Sequence, residues 1–502
     1  MKFEKKFLAV GILLSLVYFL TRLFHLTIVP VFCDEAIYIR WSQVMRAESS
    51  LRFLPLSDGK QPLFMWLTIP LLKIFNGPLI AGRMVSVLAG LGTLIGVWLL
   101  SYLLIKKKEL SLFASILYIF TPFTLFFDRM ALVDGLLSCF GIWFLIFAVL
   151  LANSQRLDLA MIGGIILGLS LLTKSPALFF ALLLPLTIMS ARRPLGGTKM
   201  KMVALLIFYW LVIYLFGFAI YNILRLGPEF HMIAIRNKDY VFSFSEVLRH
   251  PFSPLLGNLR SVAEWYWVLL TPPVFILGIL GIPLLIKKDF KIGLFLLLWW
   301  LLPLLGQSAI AKVYTARYVL FSIPLFLIFS SFFVSEVFLF LKNKIFAVVF
   351  LAVVLLLPIY QSVLLLVSPQ RAWLPRNERS GYLEEWTAGY GIKEAAEYIK
   401  NAVKTQKVLV GTEGYFGTLP DGLQIYLEKI PNTTIIGIGY PIKEISPKLI
   451  DSLKDNRVFL LVNDTRFLVT SGNMLKLIAS YPKAINPESQ AREHLLFYEI
   501  TH

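Results

Sequence analysis

The chain has 502 residues, 58% hydrophobic and 14% aromatic, with only 16% charged, a composition outside the range of ordinary soluble domains. A net charge of +18 raises nucleic acid as a partner, but the Lys and Arg residues sit mostly in short clusters between apolar runs. That distribution suits orientation in a bilayer rather than a polyanion-binding face, so the chain reads as a polytopic membrane protein with no nucleic-acid partner.

The N-terminus, MKFEKKFLAVGILLSLVYFL, has the charged and apolar regions of a signal peptide. No small-x-small cleavage site follows it, so it reads as a retained anchor. Each spanning helix needs about 20 mainly apolar residues. Such runs predict spans near 7–24, 80–104, 110–127, 134–152, 158–174, 176–190, 203–222, 265–286, 292–308, 319–337 and 345–367, about eleven in all. The gaps holding IKKKE, NSQRLD, ARRPLGGTKMK, IKKDFK and LKNK, together with KFEKK at the start, are the basic ones. Cytoplasmic loops are enriched in Lys and Arg, which puts these gaps and the N-terminus in the cytoplasm. Alternation then puts outside the segment 25–79, the turns at 128–133 and TKSP, the segments 223–264 and 309–318, and everything after about 368.

The division expected is a membrane domain over 1–367, with outer loops at 25–79 and 223–264, and an extracytoplasmic domain over 368–502. In that tail, helix-like stretches (GIKEAAEYIKNAV, SPKLIDSLKD) alternate with β-rich runs (KVLVGT, TTIIGIG, VFLLVN, LLFYEI), which predicts a small α/β sheet domain. GTEGYFG follows a strand there but lacks the spacing of a dinucleotide loop. The two cysteines, Cys33 and Cys139, make no disulfide framework, and His25, His231 and His250 are too scattered for a metal site. Trp41, Trp66, Trp265 and Trp267 read mainly as anchors at the membrane interface.

Fixing the topology by charge alone puts the unusual polar residues on one side. Asp34 and Glu35 of CDEA, Asp58 and Lys60 of DGKQPL, Asp128, Arg129 and Asp134 of FDRMALVD, Lys174 of LTKSP, and Lys312, Tyr314, Arg317 and Tyr318 of KVYTARY all fall on the outer side. A charge at the bilayer centre costs on the order of 3 kcal/mol even on the lenient insertion scale, so such residues are expected to face a cavity or a partner. Acids and cations gathered on one face fit a site that binds an anion beside a deprotonating carboxylate.

An acidic pair after the first span, then KQPL, DRMALVD, LTKSP and ARYVLFSIP in that order, resembles the prokaryotic members of the dolichyl-phosphate-mannose-protein mannosyltransferase family. That family belongs to the type C glycosyltransferases and includes the aminoarabinose transferases that modify lipid A. The resemblance covers residues 1 to about 367. KQPL stands where KPPL is more usual, and TKSP where TKGP is, with the charged residue kept in both.

The resemblance implies a cell-membrane enzyme taking a sugar from a polyprenyl-phosphate donor at the outer leaflet. An acceptor hydroxyl or phosphate, on a protein Ser/Thr or a glycolipid, attacks the anomeric carbon with inversion. It assigns Asp34 as general base and Lys174 and Arg317 as donor-phosphate ligands, with Tyr318 as a hydroxyl donor and Lys60 either on the phosphate or shaping its loop. Glu35 either orients Asp34 or pairs with Arg129; Asp134 either caps its helix or enters the site. Some relatives bind a divalent ion, so the resemblance leaves room for a metal without requiring one. A transporter or flippase for an anionic lipid or solute is the alternative, but it should show paired broken helices in two similar halves and charges at mid-membrane, and neither is visible in the sequence.

Overall fold

The computed structural model describes residues 5–191, 198–341, 343–469 and 474–501. Residues 2–4 of KFEKK, 192–197 of ARRPLGGTKMK and 342 of LKNK lie outside the described residues. The chain divides into two compact units. One comprises Met1–Phe24, Arg52–Phe64 and Val85–Pro375; the other comprises His25–Leu51, Met65–Met84 and Arg376–His502.

Among the described residues, the first unit is mainly helical. Among the described residues, six helices are long and apolar enough to cross a membrane: Pro78–Ile105, Val133–Ser154, Lys199–Leu226, Phe290–Ile310, Ala316–Phe340 and Lys344–Val367. Phe252–Leu269 and Pro272–Lys288 form a further apolar pair bent by 118°. The expected span at 265–286 therefore runs through a break. Pro272 disfavours helical backbone at the residue before it, and Thr271 sits at φ 70°. The remaining expected spans coincide with shorter or interrupted helices. Lys5–Leu23 and Leu157–Leu171 are short, 110–127 is split between Lys108–Phe120 and Pro122–Phe127, and 176–190 is partly 3-10.

Small residues let these helices approach closely. A Cβ on Gly164 would stand 2.6 Å from the Phe216 side chain and one on Gly168 2.6 Å from that of Ile220, so this GxxxG stripe is the seam between Leu157–Leu171 and Lys199–Tyr221. A polar network is buried between the first helix and the paired helices Lys108–Phe120 and Pro122–Phe127. Arg22 donates to Asp128 at 3.2 Å and to the Ile119 carbonyl at 2.5 Å, and Tyr18 and Tyr118 both donate to the Asp128 carboxylate, at 3.3 and 3.1 Å. Arg22 and Asp128 are 0% and 1% exposed.

The second unit contains a five-stranded sheet. Its strands are β1 (Val408–Thr412), β2 (Thr433–Gly437), β3 (Arg457–Asn463), β4 (Leu475–Pro482) and β5 (His494–Ile500), in the order β2-β1-β3-β5-β4. β1 runs parallel to β2 and β3, with Val408 opposite Thr433 and Arg457, while β5 is antiparallel to β3 and β4. VFLLVN reads as an unbroken apolar run because β3 is central and buried on both faces. Helix Ile392–Ala402 buries Ile392, Ala395, Ala396, Ile399 and Ala402, the stripe that spacings of three and four produce on one helix face.

The acidic pair belongs to this second unit, on a helix of its own, Cys33–Ala47. The stretch entering it is stitched to the tail: the Gly389 amide donates to the Val31 carbonyl at 2.9 Å and the Cys33 amide to the Thr387 carbonyl at 3.1 Å. Further along, Arg40 donates to Gln424 at 3.0 Å, Gln43 to the Ile425 carbonyl at 2.9 Å, and Arg46 to Glu428 at 2.5 Å.

Candidate functional site

In the first unit, four of the expected residues meet. Helix Val133–Ser154 opens at Val133, and Asp134 lies in its first turn, 3% exposed. Its carboxylate turns to side chains rather than to the helix amides. Lys174 Nζ donates to Oδ1 at 2.6 Å, and Arg317 Nε stands 3.9 Å from Oδ2. Lys174 sits on extended backbone between Leu157–Leu171 and the 3-10 turn Ser175–Ala177, where Pro176 prevents the helix from continuing. Arg317 and Tyr318 come from the 3-10 turn Ala316–Ser322, which opens the helix Ile323–Phe340. The Tyr318 ring completes the cluster: Lys174 Nζ lies 3.6 Å from its centroid and the Arg317 guanidinium carbon 5.5 Å. Two cations, one carboxylate and an aromatic face thus occupy one corner where three helix-ending turns meet.

KQPL lies beside it. Gln61 donates to the Ser175 hydroxyl at 2.8 Å, and the Leu63 amide donates to the Leu172 carbonyl at 3.2 Å. Lys60 donates to the Tyr240 hydroxyl at 2.9 Å and stacks over its ring at 4.4 Å. The segment carrying Tyr240 is in turn fastened to the stretch before Arg317. Val241 and Ala311 form an antiparallel bridge, and the Lys312 amide donates to the Tyr240 carbonyl at 2.8 Å. Arg129 has a different use for at least part of its fork, donating to the Phe24 carbonyl at 2.9 Å just beyond the first helix.

In the second unit, the two acids differ sharply. Glu35 is 0% exposed, and its carboxylate takes a two-pronged contact from Arg83, 2.8 Å from Nε and 2.7 Å from Nη2. It also accepts from the Phe32 amide at 3.0 Å, capping the helix that carries it. Arg83 spends its remaining donors on the carbonyls of Leu26, Val29 and Pro30, at 2.7, 2.9 and 3.0 Å. Asp34, one residue earlier, is half-buried. Sequence reasoning missed Arg83. Its signal was a lone Arg near the start of an apolar run, a placement that demands a partner.

Among the described residues, no group of three or more His, Cys, Asp or Glu side chains converges.

Residues 59–216 match the model of the family described as dolichyl-phosphate-mannose-protein mannosyltransferase. The motifs pointed to this family. The chain shares its fold with solved structures of ArnT, and the likeness extends over nearly its whole length. It is similar to ArnT from Cupriavidus metallidurans in the apo state, with a TM-score of 0.55 and 14% identity over 98% of this chain and 97% of that one. It is likewise similar to the same protein bound to undecaprenyl phosphate, with a TM-score of 0.52 and 14% identity over 98% and 97% of the two chains. No curated protein matches the sequence.

Proposed function

We propose that the protein is an integral-membrane glycosyltransferase that moves a sugar from a polyprenyl-phosphate-linked donor to an acceptor hydroxyl or phosphate on a protein or glycolipid. Its N-terminus lies in the cytoplasm of a cell-membrane protein, and the reaction takes place on the outer face. Two observations support the donor class: the fold shared with an enzyme that has been seen with undecaprenyl phosphate, and the family segment at 59–216. The observation that carries the reading is the Asp134–Lys174–Arg317–Tyr318 corner.

A polyprenyl-phosphate donor leaves as a phosphate, so its departure needs positive charge and no general acid. Lys174 supplies a point charge, and Arg317 a planar fork that can take two phosphate oxygens at once. Asp134 holds the two cations in one place between turnovers, and Tyr318 offers a hydroxyl to the same anion. Lys60 and Arg129 stand as lesser phosphate ligands. The acceptor's proton goes to Asp34, an assignment that rests on the resemblance of the acidic pair. Attack from the face opposite the phosphate inverts the anomeric carbon. Glu35, locked by Arg83, fixes the helix that presents Asp34.

The test is transfer from radiolabelled polyprenyl-phosphate sugars to acceptors in membrane extracts by the purified chain. Asp34→Asn is expected to abolish transfer while donor binding persists. Undiminished transfer in that variant removes Asp34 as the base, and no transfer by the unaltered chain from any such donor removes the reading.

A further inference from the structure

The parallel strands of the tail end together, and in open α/β sheets the crevice beyond the carboxyl ends of such strands is where ligands bind. Here β1 runs into Glu413-Gly414, β2 into Ile438-Gly439 and β3 into Asn463-Asp464. The loops after β1 and β2 are clasped by a bridge in which the Gly414 amide donates to the Gly439 carbonyl at 3.1 Å. Gly414 and Gly439 have φ of 68° and 91°, a backbone that glycine adopts without strain.

The bend lays the Tyr415 ring along the neighbouring strand end. A Cβ on Gly437 would stand 2.9 Å from its Cδ1, and one on Gly439 3.2 Å from its hydroxyl. Even so, Tyr415 remains 75% exposed and Tyr440 62% exposed. The Arg466 guanidinium is held between Trp386, at 3.6 Å, and Tyr440, at 4.3 Å. Behind the rings, Glu413 is buried and accepts from the Asn463 amide and from its Nδ2, both at 2.7 Å, with Arg466 at 3.6 Å. Asn463 Oδ1 is buried and has no partner, an acceptor awaiting a donor.

We infer that this cluster is a carbohydrate-binding site on the tail, and that it takes a neutral hexopyranose. Exposed tyrosine rings on a rigid backbone suit the C–H face of a sugar ring, which an aromatic face covers without losing hydrogen bonds to water. The Arg466 guanidinium and the part-exposed Asp464 carboxylate suit its hydroxyls, with Glu413 and Asn463 buttressing Arg466 from behind. Charge argues for a neutral ligand: Glu413 offsets Arg466, and Glu493, 3.6 Å from Lys483, offsets the buried ammonium nearby. Asp464 adds a negative charge that disfavours an anionic sugar.

The test uses the full chain in detergent, with methyl α-mannopyranoside, methyl β-glucopyranoside and chitobiose as probes, read by saturation-transfer NMR and titration calorimetry. At least one probe is expected to bind saturably, with transfer strongest on the ring protons of one face. Tyr440→Ala and Tyr415→Ala should each weaken binding roughly fivefold to tenfold, as the loss of an aromatic contact predicts. Lys174→Met, a substitution in the other unit, should bind the probe as the unaltered chain does, so failure of the transfer reading and failure of this one are told apart. Saturable binding to none of the probes, or binding indifferent to the Tyr415→Ala/Tyr440→Ala double substitution, overturns the inference.

Discussion

The motif FDRMALVD holds two carboxylates six residues apart, and the fold puts them to opposite uses. Asp128 lies among helices with Arg22, Tyr18 and Tyr118 and is 1% exposed, with three side chains donating to it. Asp134 meets Lys174, whose side chain is 20% exposed, and the looser Arg317 contact at 3.9 Å. One is a closed lock whose hydrogen-bonding capacity is spent on its own helices. The other is an anion with two cations at a corner made of turns, where a second anion can be added. Buried ion pairs of the first kind fix a register, and those of the second kind can exchange partners.

The largest effect expected is on the lock. Arg22→Met leaves a carboxylate buried without its cation, which should cost roughly 3–5 kcal/mol of stability. It should appear as a lowered midpoint in thermal unfolding of the purified protein. Arg22→Met with Asp128→Leu should regain much of that loss, because removing both partners spares the stranded charge. If the double substitution is as unstable as the single one, the network holds the helices through more than charge pairing.

Lys174→Met should behave the other way round. Asp134 keeps Arg317 nearby, so the unfolding midpoint should move little, while transfer should fall on the order of a hundredfold, the scale for losing one preorganised charge-stabilising group. A midpoint shift equal to that of Arg22→Met, with donor affinity unchanged, would make the corner a second lock and end the distinction drawn between the two acids.

Charge and hydropathy carried much of this arrangement. Residues 80–104, 134–152, 292–308 and 345–367 fall inside the long helices because a continuous apolar run allows little else in a bilayer. Lys174, Arg317 and Asp134 could be grouped because charges at the ends of apolar runs need partners. What the sequence could not supply was the partner of Glu35: it offered Arg129, and the fold instead supplies Arg83, forty-eight residues on from Glu35. The helix Cys33–Ala47 was hidden because its mixed polar surface gives no long apolar run, and its partner helix, Asp421–Leu427, comes from the far end of the chain. β4 escaped because its exposed positions dilute the apolar pattern: LKLIASYP has no fully buried residue.

Asp421 shows a third way to keep a buried carboxylate and sharpens the comparison from the tail. It is 7% exposed, and its hydrogen bond comes from the Gly417 amide at 2.7 Å. Burial outweighs that bond and the field of Arg40, pushing the acid from 3.8 up to about 6. Between those two values the folded chain holds a proton that the unfolded chain has released. Stability is therefore greatest below the lower value and declines as pH rises through the window, by at most about 1.4 kcal/mol per pH unit. Hydrogen exchange of the segment around Gly417, corrected for the intrinsic pH dependence, should show protection falling from pH 4 to pH 6 in the unaltered chain. Asp421→Asn, neutral throughout, should flatten that decline. Protection that instead rises with pH would mean that the Gly417 amide and Arg40 hold Asp421 as an anion.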